Sequence, residues 1–253
     1  MRNPLTMKLE HFTSFTSQER NVLDSLAADN QRAFAPRQDI LREGEHVDNV
    51  VLILSGTVVR HKVLRNGRRQ IMAFLIPGDL CDLEVFVLAR MDHAVTAVTQ
   101  ATCALIPKLT MKELLTNSNQ LTQALWWSTM TDAAVLRQRI INHGQRDARE
   151  RLAHLFYEML IRYRMIGMAL DDIYPFPMNQ AELSEATGLS PVHVNRTLQA
   201  LRAEGLIAFS RKTVAVIDAA QLKAVADFSA DYLHLQSRED RSPDIAARTA
   251  DLV

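Results

Sequence analysis

The stretch that most constrains the fold of this chain spans residues 178–207, which have the pattern of two short helices joined by a tight turn. A polar N-cap residue opens each predicted helix, a glutamate completes a capping box on the first, and a glycine follows the end of each. A proline at the first position of the second helix costs no hydrogen bond there. These signals are Asn179, Glu182, Gly188, Ser190, Pro191 and Gly205. The stretch therefore predicts a helix-turn-helix.

The second predicted helix has one apolar face and one polar face. Val194, Leu198 and Leu201 recur at i, i+4 and i+7 and predict the buried face. The opposite face carries arginine, asparagine and glutamine, which make paired hydrogen bonds to guanine and adenine edges. It consists of Val192, His193, Asn195, Arg196 and Gln199, which we expect to contact DNA bases. The spacing alone is also compatible with an ordinary helical hairpin that has a polar face.

Two strand-like runs, at 206–209 and 213–217, follow the helix-turn-helix. The segment Ser210-Arg211-Lys212 joins them as a basic hairpin that could lie against phosphate. A hairpin in this place predicts a winged helix-turn-helix. We expect phosphate contacts from Gln180, Ser190, Arg211 and Lys212.

The overall charge argues against simple electrostatic coating of nucleic acid. The chain has 29 basic and 29 acidic residues and a formal net charge of zero, whereas non-specific binding to phosphate needs a basic excess. Affinity for DNA must therefore come from placed contacts and from two copies acting together. The same near-neutral charge leaves open an alternative, a protein-binding adaptor whose winged domain holds a protein partner rather than DNA.

The composition is that of a globular protein of the cytoplasm. The chain has 253 residues, of which 47% are hydrophobic and 23% charged, so it can bury a core. No apolar run approaches the roughly 20 residues of a membrane-spanning helix, and residues 1–8 lack the apolar stretch of a signal peptide. We expect no membrane partner. Cys81 and Cys103 lie in apolar surroundings without a CxxC motif and are predicted to be buried thiols.

Residues 12–118 contain short apolar runs separated by turn signals, which predict an all-β barrel or roll. Asn66-Gly67 between two such runs is a strong hairpin signal. Residues 9–30 are predicted to form short helices with Ser17 as a cap, and residues 82–90 another short helix.

A long helix is predicted over 121–142, and we assign residues 119–143 to it. Its apolar residues lie on more than one face, which predicts contacts with both its own roll and a partner chain. The alternative is a helix packed within one domain. The two rows are Ala124, Trp127, Thr131, Ala134 and Ile141, and Trp126, Met130, Ala133 and Ile140.

The pair His143-Gly144 predicts a hinge after the long helix. The DNA-binding domain is assigned to 144–220, with its first helix over 146–168. A final helix is predicted over 222–235, within a C-terminal helix and tail at 221–253.

This α+β chain, with an N-terminal β-roll of the cyclic-nucleotide-binding type, a long dimerisation helix and a C-terminal winged helix-turn-helix, resembles one family. It resembles the CRP/FNR (cyclic-AMP receptor protein/fumarate-nitrate reduction regulator) transcription regulators over about residues 12–218. The most specific match is 188–198; the roll agrees through Gly44, 54–58 and 77–79. The resemblance implies a homodimer on near-palindromic double-stranded DNA, and RNA polymerase as a partner if the protein activates transcription.

Family roles carry over to three positions of the second helix. Arg196 matches the guanine-reading arginine, and Asn195 and Val192 match neighbouring base-contact positions. The Val192 position is a glutamate in the best-studied members. Valine cannot accept a hydrogen bond from cytosine, although its methyls could touch the methyl group of thymine.

The effector pocket is where the match to the family weakens. Cyclic-nucleotide binders hold the ribose and cyclic phosphate with an acidic residue and an Arg-Ser pair. The acidic position falls on Leu83, with Glu84 beside it, and the Arg-Ser pair on His93 and Ala94, with Arg90 nearby. Because the main counter-charge is missing, we expect no tight cyclic-nucleotide binding.

No cofactor is predicted. The iron–sulfur subgroup of the family uses a cysteine cluster near the N-terminus, which this sequence lacks. Haem stays open, since the eight histidines include candidate ligands such as His46, His61 and His93, although no motif supports them. We find no nucleophile elbow, phosphate loop or metal-ligand motif and expect no enzyme activity.

Overall fold

A computed structural model of the chain describes residues 2–81, 83, 90–210 and 212–235. The N-terminal half is a β-roll of two four-stranded antiparallel sheets, in the orders β1-β8-β3-β6 and β2-β7-β4-β5. This confirms the predicted roll. Its strands are β1 Gln31–Phe34, β2 Asp39–Leu41, β3 Asn49–Ser55, β4 Val58–Val63, β5 Arg69–Leu75, β6 Leu80–Cys81, β7 Ala94–Ala97 and β8 Ala101–Pro107.

The Asn66-Gly67 signal is confirmed as the turn of the β4–β5 hairpin. The turn is closed by a hydrogen bond from the N–H of Leu64 to the carbonyl oxygen of Arg68, at 2.8 Å. The two-residue strand β6 was not predicted, because so short a run carries no periodicity. The helix predicted at 82–90 lies outside the described residues, apart from Leu83 and Arg90.

Two helices, α1 (Pro4–Leu9) and α2 (Ser17–Ala28), precede the roll. The first starts earlier than predicted, because Asn3 caps it and a proline occupies its first turn. The prediction of Ser17 as a cap is wrong by one residue. Thr16 is the cap, since its hydroxyl accepts from the N–H of Glu19 at 3.2 Å while the Glu19 carboxylate accepts from the N–H of Thr16.

The long helix, α4, runs from Asn119 to Gln145 and follows the short helix α3 (Lys108–Asn117). The hinge predicted at His143-Gly144 is wrong, because the helix continues through Gly144. A glycine inside a helix costs only about 1 kcal/mol. The break falls instead at Arg146, where Asp147 forms a capping box with Glu150 and starts the next helix.

The C-terminal half contains α5 (Ala148–Met165) and the three-stranded sheet of the winged domain, in the order β10-β11-β9. The helix predicted over 222–235 is wrong in its extent. It ends at Val225, and Asp227 has a positive φ of 45° that turns the chain back onto α4 and α5. The remaining elements are β9 Ile173–Pro175, α6 Gln180–Thr187, α7 Pro191–Ala203, β10 Ile207–Ser210, β11 Thr213–Val216, α8 Ala219–Val225 and a 3-10 turn at Asp231–Leu233.

The largest apolar core joins the roll to the winged domain. Phe74 of β5 lies against Phe176, with ring centroids 5.8 Å apart, and Phe176 in turn meets Phe156 of α5 at 5.3 Å. Val59 and Ile71 of the roll belong to the same buried cluster. The roll therefore positions the winged domain directly. Among the helices of the described residues, none is both long and apolar enough to cross a membrane.

Candidate nucleic-acid interface

The helix-turn-helix is built as the sequence predicts. The side chain of Asn179 accepts from the N–H of Glu182 at 2.9 Å, and the Glu182 carboxylate accepts from the N–H of Asn179 at 2.8 Å. Gly188 ends α6 with φ of +69°. A Cβ added there would lie 3.1 Å from Nδ1 of His143, at the end of the long helix. Glycine therefore allows both the turn and the close approach to α4.

The second helix, α7, is oriented by its apolar side. Ser190 caps it by accepting from the N–H of His193 at 3.2 Å. Val194, Leu198 and Leu201 are buried, which confirms the predicted core face. The opposite side of α7 therefore faces solvent.

That exposed face carries the five residues predicted to contact bases. Val192 is 80% exposed, Arg196 and Gln199 are exposed, and His193 and Asn195 are half-buried. Within the described part of the chain, no hydrogen bond or ion pair is formed by the side chains of His193, Asn195, Arg196 or Gln199. Their donors and acceptors are available to an external partner.

The wing follows α7 as an antiparallel hairpin, β10–β11, with β9 as a third strand. The guanidinium of Arg202 lies 4.7 Å from the centroid of the Phe209 ring and joins the hairpin to α7. Lys212 is exposed at the tip, where its carbonyl oxygen accepts from the N–H of Phe176 at 2.8 Å.

The four predicted phosphate contacts are placed as follows. Gln180 is exposed at the first position of α6 and Ser190 at the cap of α7, where its hydroxyl oxygen already serves as an acceptor. Lys212 is exposed on the wing, and Arg211 lies outside the described residues. The first two lie at the N-terminal ends of helices, where backbone N–H groups favour anions.

Arg151 of α5 holds the helix-turn-helix against the end of the long helix. Its guanidinium donates to the carbonyl oxygens of Thr187, Arg146 and His143 at 2.7, 2.9 and 3.2 Å. Sequence reasoning missed this residue. Its partners are backbone carbonyls, which leave no trace in a side-chain pattern.

The β4–β5 hairpin of the roll also contacts the helix-turn-helix. Nε of Arg69 lies 2.8 Å from the Glu185 carboxylate, and the Gln70 side-chain amide donates to the Glu185 carbonyl oxygen at 2.6 Å. Helix α6, which precedes α7, is thus attached to the roll.

A cavity of about 70 Å³ lies between the roll and the long helix. Of the residues predicted for an effector pocket, only Leu83 contributes to its described walls; the others include Arg60, Leu80, Ser128, Thr129 and Asp132. Burial raises the pKa of the Asp132 carboxyl, and the carboxylate of Asp79 adds to that rise, against opposing effects of Lys8, Arg60 and Arg162.

The structure does not bring Arg90, His93 or Ala94 to this cavity. Arg90 is exposed and donates to the carbonyl oxygen of Gly44 at 2.9 Å. His93 is buried, with Nδ1 2.6 Å from the Asp92 carboxylate, and Ala94 begins β7. Glu84 lies outside the described residues.

The candidate metal and thiol residues are placed as ordinary structural groups. His46 is exposed, whereas His61 is buried with Nε2 2.8 Å from the Thr96 hydroxyl. In the described ranges, no three His, Cys, Asp or Glu side chains are grouped as metal ligands would be. Cys81 and Cys103 are buried as predicted, and burial raises the pKa of the Cys103 thiol to about 12.

Two family models match the chain. Residues 150–225 match the Crp-like helix-turn-helix domain, and residues 31–118 match the cyclic nucleotide-binding domain. The first match spans α5 to α8, and the second spans the strands of the roll and α3.

Curated relatives match most of the chain at low identity. The nitrogen fixation regulation protein FixK of Bradyrhizobium diazoefficiens is 24% identical over 76% of this chain and 80% of its own length. The transcriptional activator protein FnrL of Cereibacter sphaeroides is 25% identical over 79% of this chain and 82% of its own. The solved structure of FixK2 from Bradyrhizobium japonicum has the same fold, with a TM-score of 0.70 and 24% identity over 79% of this chain and 98% of that one.

Proposed function

The chain belongs to the CRP/FNR family of DNA-binding transcription regulators, and on that premise we propose that it reads near-palindromic DNA as a homodimer through α7. The observation that carries this proposal is the recognition face. Asn195, Arg196 and Gln199 present side chains that form no hydrogen bond within the described protein. A helix that is buried on one face and carries such side chains on the opposite face can enter the major groove of DNA.

Each side chain on this face predicts which base it would contact. Arg196 would pair with O6 and N7 of guanine, and Asn195 with N6 and N7 of adenine. Val192 is 80% exposed and has no polar atom in its side chain, so we assign to it the methyl group of thymine. His193 and Gln199 flank these three residues on the same helix.

The test is a selection of bound DNA from a random library with the purified protein and no added ligand. We expect a two-fold symmetric motif with half-sites about one helical turn apart. Arg196→Ala should lose about 1–3 kcal/mol of binding and relax the guanine preference at one position. Val192→Glu should shift a thymine preference to cytosine. Arg65→Ala, an exposed change in the roll hairpin, is the control and should leave the motif intact.

If Arg196→Ala selects the same motif with the same affinity, the role assigned to that arginine is wrong. The salt dependence of binding distinguishes a DNA-binding regulator from a protein-binding adaptor. DNA contacts release counterions and weaken steeply with salt, so salt-independent binding would favour a protein-binding adaptor over a DNA-binding regulator.

The proposed homodimer uses the long helix. Four large apolar side chains on one side of α4 face solvent: Trp126 at 65%, Met130 at 46%, Ile140 at 72% and Ile141 at 43% exposure. In the other predicted row, Ala124, Thr131 and Ala134 are buried within the protomer and Trp127 is half-buried, but Ile141 is exposed. A second copy paired along α4 would cover the exposed row.

We propose further that no cyclic nucleotide regulates the protein. The cavity beside α4 measures about 70 Å³. Binding sites for small-molecule ligands usually occupy roughly 300–1,000 Å³. The family's Arg-Ser positions carry His93 and Ala94. Control would come from another small molecule or from the abundance of the protein. Submicromolar calorimetric affinity for cyclic AMP or cyclic GMP would overturn this proposal.

The remaining parts of the proposal follow from the family and from the placement of the candidate ligands. The protein would act in the cytoplasm without an enzymatic step and would contact RNA polymerase if it activates transcription. We propose no iron–sulfur cluster, because both cysteines are buried. Haem stays open at His46, which is exposed, whereas His61 and His93 each lie against another polar side chain. A titration with haem that gives no Soret band would close that option.

A further inference from the structure

The C-terminal segment 226–235, here called the strap, continues beyond the residues that match the helix-turn-helix family model. That match ends at residue 225, where α8 also ends. The strap then reverses at Asp227 and ends in the 3-10 turn Asp231–Leu233. Ala226, Phe228 and Leu233 are buried. The strap is therefore a packed part of the fold.

The first half of the strap packs on α5 through aromatic rings. The Phe228 ring lies 4.8 Å from the Tyr157 ring and 5.2 Å from the His154 ring, measured between centroids. The Tyr232 ring stacks on His154 at 6.0 Å with an interplanar angle of 19°. These contacts fix the strap to the first helix of the winged half.

The second half of the strap reaches the roll end of the long helix. The His234 ring meets the Trp127 ring edge-on at 6.4 Å, and Trp127 also packs against Phe12, after α1, at 5.6 Å. The strap thus spans from the winged half to the N-terminal end of α4. It contacts both sides of the break at Arg146, whose guanidinium donates to the carbonyl oxygen of Asp227 at 3.1 Å.

The strap also completes a buried set of charges. The Tyr232 hydroxyl donates to the carboxylate of Glu158, which is fully buried on α5, at 2.8 Å. The other carboxylate oxygen of Glu158 accepts from Arg139 of the long helix at 2.7 Å. A buried carboxylate needs all its oxygens satisfied, and the strap supplies one of the partners.

This set of charges continues from α5 into the roll. Arg162, one turn after Glu158 on α5, donates to Asp79 at 2.6 Å. Asp79 also accepts from Lys8 of α1 at 2.8 Å. The Asp79 turn lies close to α1, since a Cβ on Gly78 would come within 2.6 Å of the Pro4 carbonyl oxygen. Contacts therefore run from the strap through α5 to the roll and α1.

We propose that the strap is a positioning element that fastens the winged half to the long helix and the roll, and so holds the recognition helix in its DNA-binding placement without a ligand. The proposal rests on the proposed function and adds its regulation. A domain that is already fixed loses less conformational freedom when both half-sites bind, so its affinity is higher. Without the strap, each winged half would sample several placements and bind a paired site more weakly.

The first test measures the placement itself, without DNA. The full chain is compared with a chain that ends at Leu235, which keeps the strap, and one that ends at Val225, which lacks it. Spin labels are attached through Asp24→Cys on α2 and Ala203→Cys at the end of α7, both exposed sites. The native Cys81 and Cys103 are buried, so they should stay unlabelled. Mixing with excess unlabelled protein leaves one labelled protomer per dimer.

We expect a narrow distribution of label-to-label distances in the full chain and in 1–235, and a broad one in 1–225. The second test uses DNA sites obtained from the selection. Chain 1–225 should bind a paired site at least about tenfold more weakly than 1–235, while the two chains should bind a single half-site within about twofold of each other.

A point variant keeps the test valid if 1–225 fails to fold. Tyr232→Phe removes only the hydroxyl that donates to Glu158, and we expect it to broaden the distance distribution and weaken paired-site binding about threefold. Tyr157→Phe is the matched control on α5, because no hydrogen bond of its hydroxyl is found among the described residues. It should change neither quantity.

Two results would overturn the proposal. One is equal distance distributions in Tyr232→Phe and Tyr157→Phe, or in 1–225 and 1–235. The other is unchanged or tighter paired-site binding without the strap, which would mean that the observed placement does not favour DNA. If the selection enriches no DNA at all, the proposed function fails, and the distance measurement still decides whether the strap fixes the winged half.

Discussion

His154 shows at the scale of one residue how burial sets chemistry in this protein. The ring lies on α5 between Phe228 and Tyr232, and its Nδ1 is 3.2 Å from the side-chain nitrogen of Asn142. Burial lowers the pKa of His154 to about 4. The imidazole therefore stays neutral in the folded state at pH values where an unfolded histidine takes up a proton.

This difference predicts a pH dependence of stability. As the pH falls from about 6.5 towards 4, the unfolded state binds a proton that the native His154 does not. The free energy of unfolding should fall by up to about 1.4 kcal/mol per pH unit. Urea unfolding at pH 7, 6 and 5 measures the slope. His154→Gln should reduce it, and His46→Gln, at an exposed histidine, should leave it unchanged; equal slopes in both variants would exclude His154 as the source.

Local signals in the sequence predict hydrogen bonds between residues that are only a few positions apart. Asn179 with Glu182 and Ser190 with the N–H of His193 are examples, and both are confirmed. The contacts of Arg151 and of Glu185 join residues that are far apart in the chain. No spacing rule predicts them, because they depend on how whole elements meet.

At the scale of elements, the glycine near the end of the long helix and the glycine in the turn of the helix-turn-helix behave in opposite ways. Gly144 lies inside α4 with nothing within 4 Å of an added Cβ, whereas Gly188 has φ of +69° and faces His143. The predicted hinge at Gly144 is wrong because a glycine allows a helix to end but does not by itself end it. The capping box of Asp147 and Glu150 determines where the chain breaks.

This contrast predicts opposite effects of the same substitution. Gly144→Ala should raise the free energy of unfolding by about 0.5–1 kcal/mol, because alanine favours the helix. Gly188→Ala should lower it by about 1 kcal/mol or more, since alanine is strained at positive φ. Chemical denaturation of both variants measures the two changes. A loss of stability in Gly144→Ala would indicate that the helix does open there.

The exposed row of the long helix predicts an effect on assembly. Ile140→Glu places a charge among apolar side chains that a second copy would cover, so we expect the dimer to dissociate. Sedimentation velocity measures the change in mass. Leu109→Glu on α3 alters a leucine that is 73% exposed and lies outside that row, and it should remain dimeric. A dimeric Ile140→Glu variant would place the interface elsewhere.

At the scale of the whole molecule, the roll and the winged half share one apolar core. Val59, Ile71, Phe74 and Ile76 of the roll belong to the same buried cluster as the core faces of α5 and α7. The order and type of the elements were predictable from periodicity and turns. The shared core was not, because residues such as Phe74 look the same in sequence whichever partner they meet.

A shared core predicts cooperative unfolding. We expect a single calorimetric transition in which the roll and the winged half unfold together, with the calorimetric and van't Hoff enthalpies in agreement for the cooperative unit. Scans at several protein concentrations separate dissociation from unfolding. Two resolved transitions would show that the core between the halves contributes little to stability.

The contact between Tyr232 and Glu158 also bears on how the protein is made. During synthesis the N-terminal roll can form first, and Lys8 can meet Asp79 early. The Glu158 carboxylate has to wait for Tyr232, which follows it by 74 residues. Helix α7 lies between the two and is therefore synthesised before the contact that completes the buried charges on α5. A message cut short ahead of Tyr232 yields a chain that has α7 but leaves Glu158 without the hydrogen bond from Tyr232.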